Sequence, residues 1–327
     1  MIITVTLNSA IDKTLSVPNF RLGRRHRTVE QTTMPGGKGV NVARVLKALG
    51  QPVIATGLTG GATGTRIVDQ LTQLSVLSDF VRIREESRTN TAVIDPTTGE
   101  QTEINERGPK VSEQEVELFV DKLLYLAKGA SMCVFAGSLP RDVDTDIYAG
   151  LIRELRRLGV TTVVDTDGDP LRRAVRAEPD VISPNVLEAE ELVGHEFTDD
   201  VDDWAIAARE MCELGAREAI MTMGDGCFAR MRPDDSEPGS EPALYRVKLA
   251  SPALEPRATI GSGDAFLAGF VAARYSGRSA AECLAYGVAC GGESTQHLGA
   301  GLIDPDRVSR LVAETDVQRL QAAAEIS

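Results

Sequence analysis

The sequence has no Cys-x-x-Cys pair and few residues that could form disulfide or metal crosslinks. Its five cysteines are odd in number and scattered over positions 133, 212, 227, 283 and 290. That pattern predicts reduced thiols and argues against a disulfide framework. The three histidines, at positions 26, 195 and 297, are too far apart in sequence to make a local metal motif.

Positive charge is also scarce, since 48 acidic residues outnumber 35 lysines and arginines and leave a net charge of −13. This balance argues against non-specific binding to nucleic acid or to anionic membranes. No apolar run approaches the roughly 20 residues of a membrane-spanning helix. Residues 1–7 alternate as a strand does, so we expect no export signal and a cytoplasmic setting. An anionic substrate would be held by a few local cations.

A Walker A motif is missing, because Gly-x-x-x-x-Gly-Lys-[Ser/Thr] occurs nowhere in the chain, and this excludes a P-loop. Glycine-rich helix starts are nevertheless present. The segment 34–50 begins Met-Pro-Gly-Gly-Lys-Gly and continues with an apolar helical stripe. Gly37 lets the backbone approach a ligand closely, and Lys38 and Asn41 fall in the first helical turn.

A second glycine-rich turn, over residues 258–270, comes just before an apolar run that predicts a buried helix. Gly261, Ser262 and Gly263 would leave backbone N–H groups pointing outward, where the helix dipole favours an anion such as phosphate. Asp264 follows directly. We interpret its carboxylate as the group that takes a proton from a hydroxyl attacking phosphorus. A simple helix cap is the alternative.

Helices and strands alternate from residue 112 onward, which predicts an α/β fold with a mostly parallel central sheet between two helical layers. The predicted helices are 112–127, 144–158 and 201–215, and the strands include 132–136, 160–166 and 218–223. The stretch 233–242 predicts a turn or loop. Extended pieces at about 12–33 and 88–107 predict a small sheet that acts as a lid. We expect one domain over residues 1–327.

Polar residues gather at the ends of successive predicted strands: Asp12, Ser138, Asn185 and Thr222. Ligands bind at the carboxyl ends of strands in open α/β sheets, so these residues predict a site there, together with Asp264. Asn185 and Glu188 would share one face of a first helical turn and suit Mg²⁺ or its water shell. A capping box has the same spacing and remains the alternative.

The chain resembles the ribokinase-like sugar kinases of the phosphofructokinase B family, in its 1-phosphofructokinase and tagatose-6-phosphate kinase branch. The similarity runs from the first strand to about residue 303. The Gly36-Gly-Lys-Gly-Val-Asn41 segment matches the first family signature, and Thr259-Ile-Gly-Ser-Gly-Asp264 with Ala268-Gly269 matches the second. The resemblance implies a ribokinase-like three-layer fold and an ATP- and Mg²⁺-dependent kinase of a ketohexose monophosphate.

The resemblance also implies a role for each matching residue. Asp264 would be the catalytic base, and Gly261, Ser262 and Gly263 the anion hole. The sugar and its phosphate would be held by Asp12, Gly37, Lys38, Asn41, Arg88, Asn90 and Ser138. ATP would border Thr222, Gly224, Gly226 and Gly263, and Mg²⁺ would be organised by Asn185 and Glu188, through water.

Fructose 1-phosphate is the substrate we expect, with fructose 6-phosphate and tagatose 6-phosphate as alternatives and a non-catalytic sugar-phosphate sensor as a remote one. The resemblance further implies a homodimer through the lid. The chain departs from the family pattern in Ala258, in Ser262 within the anion hole, and in a Gly224–Gly226 turn that is one residue short.

Overall fold

The computed structural model describes residues 1–232, 242–249 and 256–320. The strands are β1 Ile2–Thr6, β2 Ala10–Ser16, β3 Glu30–Gly36, β4 Val53–Gly60, β5 Leu77–Ile83, β6 Arg88–Ile94, β7 Gln101–Asn105, β8 Met132–Ala136, β9 Thr161–Asp165, β10 Val181–Ile182, β11 Glu218–Met223, β12 Gly226–Met231, β13 Ala243–Leu249 and β14 Thr315–Leu320. The helices are α1 Lys38–Ala48, α2 Gly61–Gln73, α3 Glu113–Ala127, α4 Ile147–Arg157, α5 Gly168–Val175, α6 Val186–Val193, α7 Val201–Glu213, α8 Ser262–Tyr275, α9 Ala280–Ser294 and α10 Pro305–Val312.

A central sheet of ten strands has the order β14-β13-β12-β11-β10-β9-β8-β1-β4-β5. Neighbouring strands from β5 to β11 run parallel, and β12, β13 and β14 are joined to them antiparallel. Strand β1 is buried along its whole length, as a strand covered on both faces must be. The predicted mostly parallel sheet is confirmed, with an antiparallel extension that ends at the edge strand β14.

Helices cover both faces of this sheet and fill two apolar cores. One core takes side chains from α3 to α7, among them Phe119, Tyr148 and Trp204. The other takes side chains from α1, α2, α8 and α9, among them Ile67 and Phe270. The amphipathic helices and the apolar strands therefore form the three layers that the helix–strand alternation predicts.

Helices α8 and α9 pack very closely. A Cβ atom added at Gly269 of α8 would lie 2.6 Å from the Sγ atom of Cys290 on α9, so only glycine allows this approach. Phe270, on the next position of α8, is fully buried and contributes about 2–3 kcal/mol to folding. This packing fixes where the amino end of α8 lies.

The other four strands form a small separate sheet of order β3-β2-β6-β7, which we call the lid sheet. Strands β2 and β6 pair in parallel, so that Asp12 lies opposite Asn90. These strands come from the two segments that were predicted to be extended, although β2 begins at Ala10 and β3 continues to Gly36. Strand β7 is mostly exposed, including Ile104.

Most predicted boundaries agree with the structure to within a few residues. Helix α4 begins later than predicted, at Ile147, and β5, α10 and β14 were not predicted. The loop predicted over 233–242 lies outside the described residues except for Pro242. No helix in the described ranges is both long enough and apolar enough to cross a membrane.

Candidate active site

The amino end of α8 carries the predicted anion hole. Gly261 is its N-cap in the left-handed conformation, with φ 76°, and no side chain caps the helix there. The Ser262 N–H already donates to the carbonyl oxygen of Thr259 at 3.1 Å. Gly263, one position further, is exposed. The backbone turn therefore faces solvent at Gly263, whereas the Ser262 N–H is engaged in the turn itself.

Asp264 is not a helix cap, so the capping alternative is wrong for this residue. It lies inside the first turn of α8, is only 6% exposed, and its Oδ2 atom accepts a hydrogen bond from Asn41 Nδ2 at 2.9 Å. Burial raises the pKa of Asp264 to about 7, with Lys38 opposing the shift and Asp165 adding to it. A carboxylate with this pKa can accept a proton near neutral pH.

Lys38 lies between two carboxylates at the start of α1. Its Nζ atom is 2.7 Å from Asp165 Oδ1 and 3.7 Å from Glu188 Oε1. Burial would lower the pKa of Lys38, but the carboxylates of Asp165, Glu188 and Asp264 outweigh it and raise that pKa. Lys38 therefore stays a cation, and its charge acts on the carboxylate of Asp264.

Sequence reasoning missed Asp165, the last residue of β9. It is 5% exposed and holds the Lys38 ammonium. The rule that polar residues gather at the carboxyl ends of parallel strands applies to this position as it does to Ser138, so a signal for it was present in the sequence.

Asn185 and Glu188 form the capping box that was the alternative to a metal site. Asn185 Oδ1 accepts from the Glu188 N–H at 3.0 Å, and Glu188 Oε2 accepts from the Asn185 N–H at 2.9 Å. Glu188 Oε1 is outside the box and faces Lys38. Burial raises the pKa of Glu188, with Lys38 opposing. The two roles are compatible, because capping uses only one carboxylate oxygen.

Magnesium fits the donors at this edge, although the described residues contain no cluster of three or more His, Cys, Asp or Glu side chains arranged for a metal. Mg²⁺ keeps several waters and takes one or two carboxylates together with substrate phosphates. Glu188 Oε1 and Asp165 flank Lys38 and are oxygen donors of this kind.

Thr222 and the Gly224–Gly226 turn lie next to the capping box. The Thr222 N–H donates to the Pro184 carbonyl oxygen at 2.9 Å, and Thr222 forms an isolated β-bridge with Asn185. A Cβ atom at Gly224 would meet nothing within 4 Å, whereas one at Gly226 would lie 1.9 Å from the Val247 carbonyl oxygen. Gly224 therefore borders open space, and Gly226 is required for packing between β12 and β13.

Asp12, Asn90 and Gly37 meet where the lid sheet joins α1. Asn90 Nδ2 donates to Asp12 Oδ1 at 2.9 Å, and the Gly37 N–H donates to Asp12 Oδ2 at 3.4 Å. A Cβ atom at Gly36 would lie 2.0 Å from Asp12 Oδ2. Gly36 thus leaves room for the Asp12 side chain, next to the Gly37 that was predicted to admit a ligand.

Arg88 and Ser138 are joined through Asn8, whose side chain is buried. Arg88 Nε donates to the Asn8 carbonyl oxygen at 3.1 Å, and Asn8 Nδ2 donates to Ser138 Oγ at 3.3 Å. Burial lowers the pKa of Arg88, with the nearby carboxylates of Asp12 and Glu106 opposing. The predicted site residues are therefore brought together in linked groups along one end of the central sheet.

The arrangement has the parts of a phosphoryl-transfer site: a buried carboxylate, an exposed glycine turn at a helix start, a cation and carboxylate oxygens. Comparison with known proteins agrees with this. Residues 5–307 match the model of the pfkB family carbohydrate kinases. The chain is 30% identical to a tagatose-6-phosphate kinase of Staphylococcus epidermidis, over 97% of this chain and 99% of that protein.

A 1-phosphofructokinase of Borreliella burgdorferi is 33% identical, over 89% of this chain and 90% of that protein. Among solved structures, a possible 1-phosphofructokinase from Thermotoga maritima superposes with a TM-score of 0.87 at 25% identity. That superposition covers 98% of this chain and 100% of the other.

Proposed function

The chain belongs to the pfkB family of carbohydrate kinases, and we propose that it phosphorylates the 6-hydroxyl of fructose 1-phosphate with ATP. The products are fructose 1,6-bisphosphate and ADP. The observation that carries the proposal is Asp264, a buried carboxylate with a pKa of about 7 at the start of α8. Relatives named 1-phosphofructokinase and tagatose-6-phosphate kinase support a phosphosugar as the acceptor.

In the proposed reaction, Asp264 accepts the proton of the sugar 6-hydroxyl as that oxygen bonds to the γ-phosphorus of ATP. The bond between the γ-phosphorus and the bridging oxygen breaks, and ADP leaves. Such a transfer needs alignment and charge stabilisation more than covalent chemistry. The amino end of α8, Gly261–Gly263, would offset the charge on the transferring group. The Asn41 amide keeps the Asp264 carboxylate oriented.

For the acceptor, we assign Asp12, Gly37 and Asn41 to the sugar and Arg88 to its phosphate. Ser138 and Lys38 would meet the same phosphate, and Asn90 would line the pocket. The Asn8 link between Arg88 and Ser138 supports this assignment, because one buried residue holds the cation through its backbone carbonyl oxygen and the hydroxyl through its side-chain amide. A charge-assisted contact of this type discriminates strongly for a phosphorylated sugar.

For the donor, we assign Thr222, Gly224 and Gly226 to the border of the ATP site and Asn185 with Glu188 to magnesium. When bound, the metal would neutralise phosphate charge. Glu188 Oε1 supports this role, since it lies outside the capping box. Asn185 would act mainly by holding the first turn of α6, because its Oδ1 atom accepts the Glu188 N–H.

The same site would serve fructose 6-phosphate or tagatose 6-phosphate, and a relative bearing the latter name keeps that alternative open. A coupled ADP-release assay with Mg-ATP distinguishes between these substrates. The panel is fructose 1-phosphate, fructose 6-phosphate, tagatose 6-phosphate, fructose and ribose. We expect the highest kcat/KM on fructose 1-phosphate. Preference for a free sugar would contradict the assignment of Lys38 and Arg88 to a phosphate. No turnover on any sugar of the panel would favour another phosphosugar or a sensor.

We also propose that the lid sheet covers the sugar and pairs with the lid of a second copy. Exposed apolar side chains in the lid region, Leu22, Val29 and Ile104, support a covered surface there. Light scattering at micromolar concentration should give the mass of a dimer. The mass of a monomer would contradict this proposal, and Ile104→Asp is the variant expected to weaken the dimer.

A further inference from the structure

Arg44 has no role in the site described so far, yet it is a buried cation beside it. It lies on α1, one turn beyond Asn41, and is only 5% exposed. Burial lowers the pKa of Arg44 to about 10, with Asp12 opposing. Within the described residues, no carboxylate approaches to the 4.0 Å of an ion pair with Arg44. Burying a guanidinium group without an ion-pair partner lowers the free energy of unfolding, so a functional role would explain why Arg44 is buried here.

The guanidinium instead bonds to neutral acceptors from three parts of the chain. Its Nη1 atom donates to the Ala300 carbonyl oxygen at 2.9 Å and to the Pro35 carbonyl oxygen at 3.2 Å. The same atom lies 3.5 Å from Asn41 Oδ1, at the limit of a hydrogen bond. Arg44 therefore connects the end of the lid strand β3, the amide of Asn41, and the loop of residues 299–301.

Two of these contacts lead directly to catalytic positions. Asn41 has its Oδ1 atom on the side of Arg44 and its Nδ2 atom bonded to Asp264, so its amide lies between the guanidinium and the catalytic carboxylate. Ala300 packs on the anion hole: a Cβ atom at Gly261 would lie 2.4 Å from the Ala300 Cβ.

The 299–301 loop also packs closely against Arg44 and against the lid sheet. A Cβ atom at Gly301 would come 2.9 Å from Arg44 Nη1, and one at Gly299 would come 3.0 Å from Thr32 of the lid sheet. The 299–301 loop therefore packs against both Arg44 and the lid sheet.

We propose that Arg44 is a positioning residue. Its guanidinium holds the Asn41 amide and the 299–301 loop in place, and these in turn position Asp264 and Gly261 for phosphoryl transfer. The inference rests on the proposed kinase function. Through Pro35, two residues before the Gly37 assigned to the sugar, the same guanidinium links the proposed sugar site to the catalytic base. Its location among carbonyl oxygens explains why a planar group with several donors occupies the position.

The test compares Arg44→Met with Lys47→Met, which removes an exposed cation from the same helix. Misplacing a reacting group by about 1 Å costs on the order of a hundredfold, so Arg44→Met should lower kcat by about ten- to a hundredfold. The KM for ATP should change less than about twofold, and Lys47→Met should match the wild type. A lower melting temperature with an unchanged kcat per folded enzyme would mean a purely structural role and overturn the proposal.

A double-mutant cycle with Asn41→Ala tests the route. If Arg44 acts through the amide, the double variant should be about as slow as the slower single variant. Losses that simply multiply would refute that route. If Arg44→Met does not fold, Arg44→Lys replaces it: the single ammonium cannot serve the same acceptors, so kcat should still fall at least about tenfold, and wild-type kcat would overturn the inference.

Failure of the proposed function is separable from failure of this inference. A wild-type enzyme that phosphorylates only an unphosphorylated sugar defeats the substrate assignment, and the Arg44 comparison is then made on that sugar. An active wild type with equally active Arg44→Met and Arg44→Lys variants defeats the Arg44 inference alone.

Discussion

Replacing Asp264 by asparagine should change activity and stability in opposite directions. The side chain keeps its shape, and its amide oxygen can still accept the hydrogen bond from Asn41, so the site should stay intact. It can no longer take a proton. General bases contribute about a hundredfold or more, so kcat should fall at least about a hundredfold, or by about 2.7 kcal/mol of transition-state stabilisation.

The stability change follows from linkage between protonation and folding. The Asp264 carboxyl has a reference pKa of 3.8 and a pKa of about 7 in the folded protein. Between those values the folded state binds the proton more tightly than the unfolded state, so stability falls as the pH rises, and the loss is complete above pH 7. Removing the ionisable group should therefore stabilise the fold at pH 8, by up to about 4 kcal/mol. The gain should vanish below about pH 4.

Two measurements check this reasoning. ADP release gives kcat for the purified variant, and thermal unfolding at pH 8 and pH 5 gives the sign of the stability change. Asp202→Asn is the matched control, since it removes an exposed acid from the first turn of α7. Near-normal turnover in a folded Asp264→Asn protein would refute the general base. A variant less stable than the wild type at pH 8 would refute the claim that the ionised Asp264 carboxylate destabilises the folded protein.

Three further changes probe the other parts of the site. Lys38→Met should shift the acidic limb of the kcat/KM–pH profile to higher pH, because the Lys38 charge lowers the pKa of Asp264. An acidic limb at the wild-type pH would contradict this coupling. Arg88→Ala should raise the KM for the phosphosugar at least about tenfold and leave that for ATP within about twofold, whereas equal effects would remove Arg88 from the phosphate site. Glu188→Gln keeps the capping box, so α6 should remain folded. The Mg²⁺ concentration needed for half-maximal rate should rise about tenfold or more. An unchanged Mg²⁺ requirement would exclude Glu188 as a metal-organising group.

The architecture was predictable because the strongest patterns in the sequence are local. Alternation of helical and extended segments from residue 112 onward gave the parallel sheet, and Ser112 with Glu115 is a capping box that marks the start of α3. The short exposed elements were harder. Strand β14 has only its two end residues partly buried, so no apolar alternation reveals it, and its pairing depends on β13.

The site was predictable where a residue lies on a glycine-rich helix start or just after a strand, as Lys38 and Asp264 do. Asp165 obeys the same rule but looks, in sequence, like any acid after a strand. Arg44 could not be found in this way, because its importance depends on contacts with Pro35 and Ala300, which are distant in sequence or carry only backbone acceptors. Such contacts exist only once the chain has folded.

Within the part of the chain that the structure describes, β14 is the edge of the central sheet, and this edge bears on how the protein behaves at high concentration. Strand β14 closes the antiparallel extension and presents Asp316, Gln318 and Arg319 to solvent. A bare edge of apolar residues would invite strands of other molecules to pair with it, and charges of both signs oppose that. The exposed charged and polar side chains of β14 thus restrain aggregation at the edge of the sheet, and a more apolar β14 would lower the solubility of the protein.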